Sequence, residues 1–286
     1  MTTATLMDGK RVAGELLDKL RLRVQDITEK TRVTPCLATV LVGADPASVT
    51  YTQMKRRRCE SIGMKSVKVE LPGNTTTAQL VAKINELGGD ESVHGILLQH
   101  PSPPQVDERA AFEAIPVAKD VDGVTFGSFA HMWFGHPGFA SCTPEGIMRL
   151  MDAYNVEIEG KDAVVIGRSA ILGKPMAGLL LDRNATVTLC HSRTRDIGEI
   201  IKRADIVVAA VGRANFVKGE WIKEGAIVMD AGYNAGNVGD VDFEPAAERA
   251  GMITPVPGGV GPMTIATLIE QTVTGAERQL GMNMPD

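Results

Sequence analysis

Ala163-Val164-Val165-Ile166-Gly167-Arg168-Ser169-Ala170-Ile171-Leu172-Gly173-Lys174-Pro175 reads as a buried strand, a glycine turn and the start of a helix. Four consecutive apolar residues suit a strand covered on both faces, as in a parallel sheet. A parallel neighbour needs a crossover, and a helix opening at Gly173 supplies one. The same alternation runs outward in both directions. Strand-like runs stand at residues 36–43, 66–71 and 94–99 in the first half, and at 163–167, 186–190, 206–210, 226–230 and 252–254 in the second. Helical patterns separate them, which predicts an α/β protein with largely parallel sheets. One helix is expected from Thr143-Pro144, cap and first residue, to about Tyr154. Another is expected from Met263 to about Leu280, where Ile265, Leu268, Ile269 and Val273 keep helical spacing. Residues 126–141, rich in glycine, aromatic and histidine residues without a period, read as loop and linker.

A chain of 286 residues, 44% hydrophobic, suggests two domains with a core each. The formal net charge is -5 and there is no long basic tract, which argues against nucleic acid as a partner. Cys36, Cys59, Cys142 and Cys190 are scattered without close pairs, so reduced thiols in a cytosolic protein are expected. The first eight residues lack the basic start and apolar block of a signal peptide, and no apolar run reaches membrane-spanning length. The expectation is a soluble cytoplasmic protein with no membrane partner. His94, His100, His131, His136 and His191 show no ligand spacing, so no metal site is expected. His94, before a buried strand, reads as a satisfied core residue.

Backbone amides at the helix start after Gly167, with the helix dipole, suit a pyrophosphate. The spacing departs from G-x-G-x-x-G, since Ser169 stands where a second glycine is usual and Gly173 comes one residue late. An ordinary glycine turn of an α/β domain therefore stays open as a reading of this segment. The next strand ends in His191-Ser192-Arg193, with no carboxylate where an NAD site usually carries one for the ribose diol. Arg168, Ser192 and Arg193 would instead suit a 2′-phosphate, which favours NADP; the alternative is a solvated loop. Val211-Gly212-Arg213 also follows a buried strand, and Pro255-Val256-Pro257-Gly258-Gly259-Val260-Gly261-Pro262 is too dense in glycine and proline for a regular element. Such a rigid, bare loop lets a flat ligand approach closely, or serves as a stiff connector between domains, and both can hold.

In the first half, Asp45, Pro46 and Gly63 mark the cap, first residue and stop of a helix. At about 100° per residue, Ser48, Tyr51, Lys55, Cys59 and Ile62 share one stripe. Cys59 and Ile62 face protein, so Ser48, Tyr51 and Lys55 should line a pocket. Partial burial disfavours a charged ammonium, and a neutral amine can act as a base. The other reading is that Lys55 merely opens the basic run Lys55-Arg56-Arg57-Arg58 on a solvated face.

Taken together, these residues resemble the bifunctional methylenetetrahydrofolate dehydrogenase/cyclohydrolases over nearly the whole length. The matching motifs are Ser48, Tyr51 and Lys55; Gly95-Ile96-Leu97-Leu98-Gln99; Lys119-Asp120-Val121-Asp122-Gly123; Cys142-Thr143-Pro144; Gly167-Arg168-Ser169 through Gly173-Lys174-Pro175; Cys190-His191-Ser192; and the run from Pro255 through Met263-Thr264. The resemblance implies a three-layer α/β domain at residues 1–140, completed by 263–286, and a Rossmann-type NADP domain at 141–262, with the folate in a cleft between them and a homodimer as the assembly. It implies oxidation of 5,10-methylenetetrahydrofolate with NADP, then hydrolysis of the methenyl product to 10-formyltetrahydrofolate. It makes Lys55 the group that acts on water and Gln99 its contact. Asp122 would hold the amino-pyrimidine of the pterin, Tyr51 would stack near the folate ring system, and Ser48 would fix the lysine or the ligand. Pro257, Gly258 and Gly259 would also line the substrate. Gly167, Arg168, Ser169, Gly173, Pro175, His191, Ser192, Arg193, Gly212 and Thr264 would hold the cofactor.

The chain departs from the family pattern at His100 and Ser102 beside Gln99, and at Ser141 before Cys142. Residues 125–135 also lack the usual Asn-x-Gly element. Competing readings are a monofunctional NAD(P)-dependent dehydrogenase, an enzyme for another pterin carrier, and a silent NADP- or folate-binding regulator. Arg56, Arg57 and Arg58 could attract the glutamate tail of a polyglutamylated folate. On that reading the Michaelis constant for such a substrate rises with ionic strength, and a salt-insensitive value counts against it.

Overall fold

The computed structural model describes residues 4–282. All eight expected strands form: β2 (Cys36–Val42), β3 (Lys65–Leu71), β4 (Gly95–Leu98), β5 (Asp162–Ile166), β6 (Thr186–Cys190), β7 (Ile206–Ala209), β8 (Ile227–Asp230) and β9 (Met252–Ile253). A two-residue strand, β1 (Thr5–Leu6), precedes them. The helices are α1 (Gly9–Thr31), α2 (Pro46–Ser61), α3 (Thr77–Gly89), α4 (Glu108–Glu113), α5 (Phe126–Trp133), α6 (Cys142–Ala153), α7 (Gly173–Asp182), α8 (Ile197–Ile201), α9 (Phe243–Ala247) and α10 (Val260–Gln279).

Two compact units result. One comprises the segment ending at Gly14, Met132–Gly135 and Ser141–Thr264. The other comprises Glu15–His131, His136–Ala140 and the chain from Ile265 onward. The first unit thus takes in the N-terminal segment that the sequence boundaries assign to the other domain. The reason is a backbone ladder: β1 pairs in parallel with β9 through Thr5–Met252 and Leu6–Ile253.

The first unit's sheet has the order β1-β9-β8-β7-β5-β6, every ladder parallel. β5 leads through α7 to β6 on one side, whereas β7, on its other side, leads away to β8. Connections that diverge leave a crevice at the carboxyl ends of β5 and β7, the usual ligand position in open α/β sheets. Val164, Ile166, Val207, Ala209, Val228 and Ile253 are fully or almost fully buried in the core that supports it.

The second unit's sheet has the order β3-β2-β4, again parallel. All seven residues of the central β2 are buried, while edge strand β3 alternates. Here too β2 leads through α2 to β3 on one side, and β4 lies on the other. Buried Leu17, Leu20, Val24 and Ile27 of α1, with Leu80 and Ile84 of α3 and Leu268, Ile269 and Val273 of α10, complete its core. Arg23 of α1 donates to Glu277 of α10, and Gln271 donates to the carbonyls of Val121 and Ala140. The final helix is therefore built into this unit from Ile265 on.

Three local expectations change. Residues 126–133 form a helix, not a loop: Asp120 accepts from Val124 and Thr125, and the Thr125 hydroxyl accepts from the Ser128 amide, which starts the turn. Val260, Gly261 and Pro262 form the first turn of α10, since a proline near a helix N-terminus gives up no intrahelical bond. And α6 begins at Cys142, one residue before the expected cap, with Ser141 making no side-chain capping bond.

Candidate active site

In the second unit, α2 carries the candidate groups. The Asp45 carboxylate accepts from the Ser48 amide at 2.8 Å and Pro46 fills the first turn, which fixes where the helix begins. Ser48 is buried, Tyr51 is 42% exposed, Lys55 is half-buried, and Cys59 and Ile62 are sealed. The stripe thus runs from solvent-accessible chemistry into core. Burial pushes the Cys59 thiol up to about 12, with smaller contributions from Cys36 and Glu60. Cys36, Cys142 and Cys190 are buried as free thiols too.

Lys55 Nζ donates to Gln99 Oε1 at 3.1 Å. Gln99 follows β4 directly, and its own Nε2 donates to the His100 carbonyl at 2.9 Å, which turns the amide oxygen toward the lysine. The lysine is therefore neither free on a solvated face nor paired with a carboxylate at this contact. An amide oxygen holds the amine in place without adding a full negative charge that would favour the ammonium form.

Asp122 is half-buried in a short loop that two neighbours shape. Asp120, fully buried, takes the amides of Val124 and Thr125, and the Val121 carbonyl receives Gln271 at 2.8 Å. Val121 also packs where Gly95 leaves room, since a Cβ on Gly95 would lie 2.7 Å from a Val121 methyl. Arg56 pairs with Glu60 at 2.7 Å, leaving Arg57 and Arg58 as exposed neighbours on α2. His94 Nδ1 accepts from the Cys36 amide inside the core, and burial holds its pKa below the usual imidazole range.

In the first unit, the loop after β5 is drawn tight. Gly167 has φ +123°, and a Cβ there would lie 2.1 Å from the Ala210 carbonyl oxygen; one on Gly173 would lie 2.0 Å from the Gly167 oxygen. Both glycines are sterically required. Ser169 accepts from the amides of Leu172 and Gly173 through its hydroxyl and of Lys174 through its carbonyl. Pro175 has no amide hydrogen. This differs from the sequence expectation: the first amides of α7 are already spoken for, so the polar surface this turn offers an anion is the exposed Arg168, Ser169 and Lys174 side chains.

At the end of β6, His191 closes a turn, its amide donating to the Thr194 hydroxyl and its Nδ1 accepting from the Arg193 amide. Ser192 and Arg193 are exposed there. The Gly258 carbonyl accepts from Lys10, and Gly259 bonds back to Pro255, so the Pro257-Gly258-Gly259 turn is tied at both ends. Thr264 donates to Thr143 at 3.1 Å. A cradle with no room for side chains at Gly167 and Gly173, beside exposed Arg168 and Arg193, fits a dinucleotide bearing an extra phosphate.

Two further residues shape this site without a local mark in the sequence. Asp240 accepts from the consecutive amides of Val211 (2.6 Å), Gly212 (2.8 Å) and Arg213 (2.8 Å) and from Asn234 Nδ2 at 3.0 Å. Asp230, beneath it, accepts from the amides of Gly232, Asp240 and Val241. Nothing local signals this, because the partners lie far apart in the chain.

Residues 7–122 match the catalytic domain of tetrahydrofolate dehydrogenase/cyclohydrolase, and 141–280 match its NAD(P)-binding domain. The chain belongs to the tetrahydrofolate dehydrogenase/cyclohydrolase family. Within that family, it is 61% identical over 280 residues to the bifunctional protein FolD 1 of Streptomyces avermitilis, covering 98% of each chain. Among solved structures, the bifunctional FolD methylenetetrahydrofolate dehydrogenase/cyclohydrolase of Campylobacter jejuni is 44% identical with a TM-score of 0.94, over 96% of this chain and 99% of that one. The Trypanosoma brucei methylenetetrahydrofolate dehydrogenase-cyclohydrolase, solved with NADP cofactor and an inhibitor, is 37% identical with a TM-score of 0.94, over 98% and 99%. Among the described residues there is no cluster of His, Cys, Asp and Glu that could hold a metal ion, and no helix long and apolar enough to cross a membrane.

The buried Asp230 carries a measurable signature of this arrangement. Desolvation, with a lesser push from Asp240, raises its pKa from 3.8 to about 6 against three amide donors. A raised carboxyl pKa means the folded state holds its proton longer, so the ionised form is a burden that sets in as pH rises from about 4 to 6. Unfolding free energies of wild type minus Asp230→Asn should therefore fall by roughly 1–3 kcal/mol across that window. A flat difference in urea unfolding would show that the carboxylate is ionised at no cost.

Proposed function

We propose that this chain is a bifunctional enzyme that oxidises 5,10-methylenetetrahydrofolate to 5,10-methenyltetrahydrofolate with NADP and hydrolyses the product to 10-formyltetrahydrofolate. The observation that carries the reading is the Lys55–Gln99 pair, an amine held half-buried by an amide on a chain with bifunctional relatives at full length.

Bound NADP supplies the hydride acceptor. The chain's own part in that step is to bind and orient: Gly167, Gly173 and Gly212 keep the loops after β5 and β7 tight, and Arg168, Ser192 and Arg193 act by charge and hydrogen bonding. His191, Pro175 and Thr264 shape the same turns. On the folate side, Asp122 presents a carboxylate to the amino-pyrimidine, a partner for two parallel hydrogen bonds, while Tyr51 offers an exposed ring for stacking. Ser48 adds a hydroxyl on the same helix, and the resemblance gives the Pro257-Gly258-Gly259 turn a substrate contact as well.

Hydrolysis asks more of the protein. Water adding to the methenyl cation must lose a proton as the new C–O bond forms; Lys55 Nζ takes or steers that proton, and cleavage of the carbon–N5 bond then leaves the formyl group on N10. Gln99 keeps the amine aimed. The departures at His100 and Ser102 leave this pair intact: Ser102 donates its amide to Glu108 at 2.8 Å, and His100 packs edge-on to Phe112. Arg57 and Arg58 provide a surface for a glutamate tail. The resemblance further implies a cytoplasmic homodimer, which sedimentation at monomer mass would argue against.

Two experiments test these roles. Purified protein given 5,10-methylenetetrahydrofolate and NADP should form reduced cofactor without methenyl build-up, whereas Lys55→Ala should accumulate methenyl product, its hydrolysis slowed ~100-fold or more. If wild type reduces neither NADP nor NAD, the catalytic reading fails. Replacing Arg168 and Arg193 by alanine should raise the Michaelis constant for NADP by ~10-fold or more and leave that for NAD nearly unchanged. Equal losses for both cofactors would remove the 2′-phosphate assignment.

A further inference from the structure

The loop that follows β7 is held by one side chain. Asp240, with no solvent exposure, collects three successive backbone N–H groups from Val211, Gly212 and Arg213, and Asn234 adds a fourth donor. Three amides converge on one carboxylate only if the backbone curls, and Gly212 supplies the curl at φ +63°. Space is short around it: a Cβ on Gly232 would lie 2.2 Å from the Asp240 carboxyl carbon, and one on Gly239 would lie 2.0 Å from an Asp230 oxygen. Asp230 in turn holds the Asp240 amide at 3.0 Å.

The tether stands at the crevice. Ala210, just before the held segment, donates to the Ile166 carbonyl, and its own carbonyl is the atom that bars a side chain at Gly167. Any shift of the Val211–Arg213 backbone therefore moves the wall against which the Gly167 turn is set.

We propose that Asp240 is a positioning residue for the dinucleotide: its carboxylate, buttressed by Asp230 and Asn234, fixes the loop after β7 in the shape the cofactor needs. This rests on the dinucleotide reading of the first unit. A carboxylate is required because both oxygens accept. Asparagine would turn an NH2 group toward amides that also donate, and the loop would have to rotate to escape.

The test is a direct titration of NADPH fluorescence on the intact protein, with methenyl hydrolysis measured separately in the absence of cofactor. Asp240→Asn should weaken NADPH binding ~10-fold or more and raise the Michaelis constant for NADP more than it lowers kcat, while hydrolysis of added methenyltetrahydrofolate stays within about twofold of wild type. Asn234→Leu, which takes one of four donors from Asp240 together with a bond to the Val238 carbonyl, should weaken binding by a smaller factor, and it carries the test if Asp240→Asn does not fold. Asp205→Asn is the control. That carboxylate also accepts a backbone amide, from Asp162, but at the opposite end of β7, so the substitution should lower the melting temperature without changing NADPH affinity.

An unchanged dissociation constant in both Asp240→Asn and Asn234→Leu would overturn the proposal, as would equal losses in binding and in cofactor-free hydrolysis, which mark a general structural defect. If wild type itself binds no NADPH, the dinucleotide reading is what has failed, and that outcome is distinct from the others.

Discussion

A parallel sheet cannot satisfy its own carboxyl end. Each strand stops with backbone groups pointing out of the ladder, and where neighbouring connections diverge no helix covers them. Both units of this chain meet that constraint, and both answer it with side chains at the strand ends or on nearby loops. In one, Asp240 takes the amides after β7 and Asp230 takes those after β8. In the other, Gln99 closes on the His100 carbonyl just past β4, and in a loop away from the strand ends Asp120 gathers the amides of Val124 and Thr125 in the same way. The candidate chemistry sits on or next to these repairs. Lys55 reaches Gln99, Asp122 follows Asp120, and Gly212 lies in the grasp of Asp240.

The distribution of charge follows the same logic. The buried Asp120, Asp230 and Asp240 are surrounded by amide dipoles more than by opposite charges, so they hold backbone without competing for a charged ligand, whereas Glu277 pairs with Arg23. Most formal cations stay at the surface, among them Arg168 and Arg193, whereas buried Lys119 donates to the Asp90 carbonyl. Lys55 is the intermediate case, half-buried and held by a neutral acceptor.

Patterns of near-neighbour residues made the strands and the helices α2, α6 and α10 readable in the sequence, though α1, the longest, is not singled out by them. A run such as Val164-Val165-Ile166 is buried whatever lies far away, and Asp45-Pro46 starts a helix by local bonding alone. The misses have equally physical origins. β1 is two residues long and exists only because β9 offers an edge. α5 is eight residues, too short for a period, and its first amide, that of Phe126, is held by Glu113 from thirteen residues upstream, beside the threonine cap. Asp240 could not be found by spacing, because its donors are drawn from residues 27 to 29 positions earlier in the chain. Family resemblance supplied the roles of Gln99 and Asp122; helix geometry alone had pointed to Ser48, Tyr51 and Lys55, and left open whether the lysine faced a pocket or water.

The burial of all four cysteines leaves the molecule without a thiol at its surface. A single cysteine placed on an exposed position would thus be the one site open to maleimide probes or spin labels, with the native cysteines left in place. Pairs of such labels, one in each unit, would turn the separation of the two units into a distance readable by fluorescence or electron resonance as ligands are added.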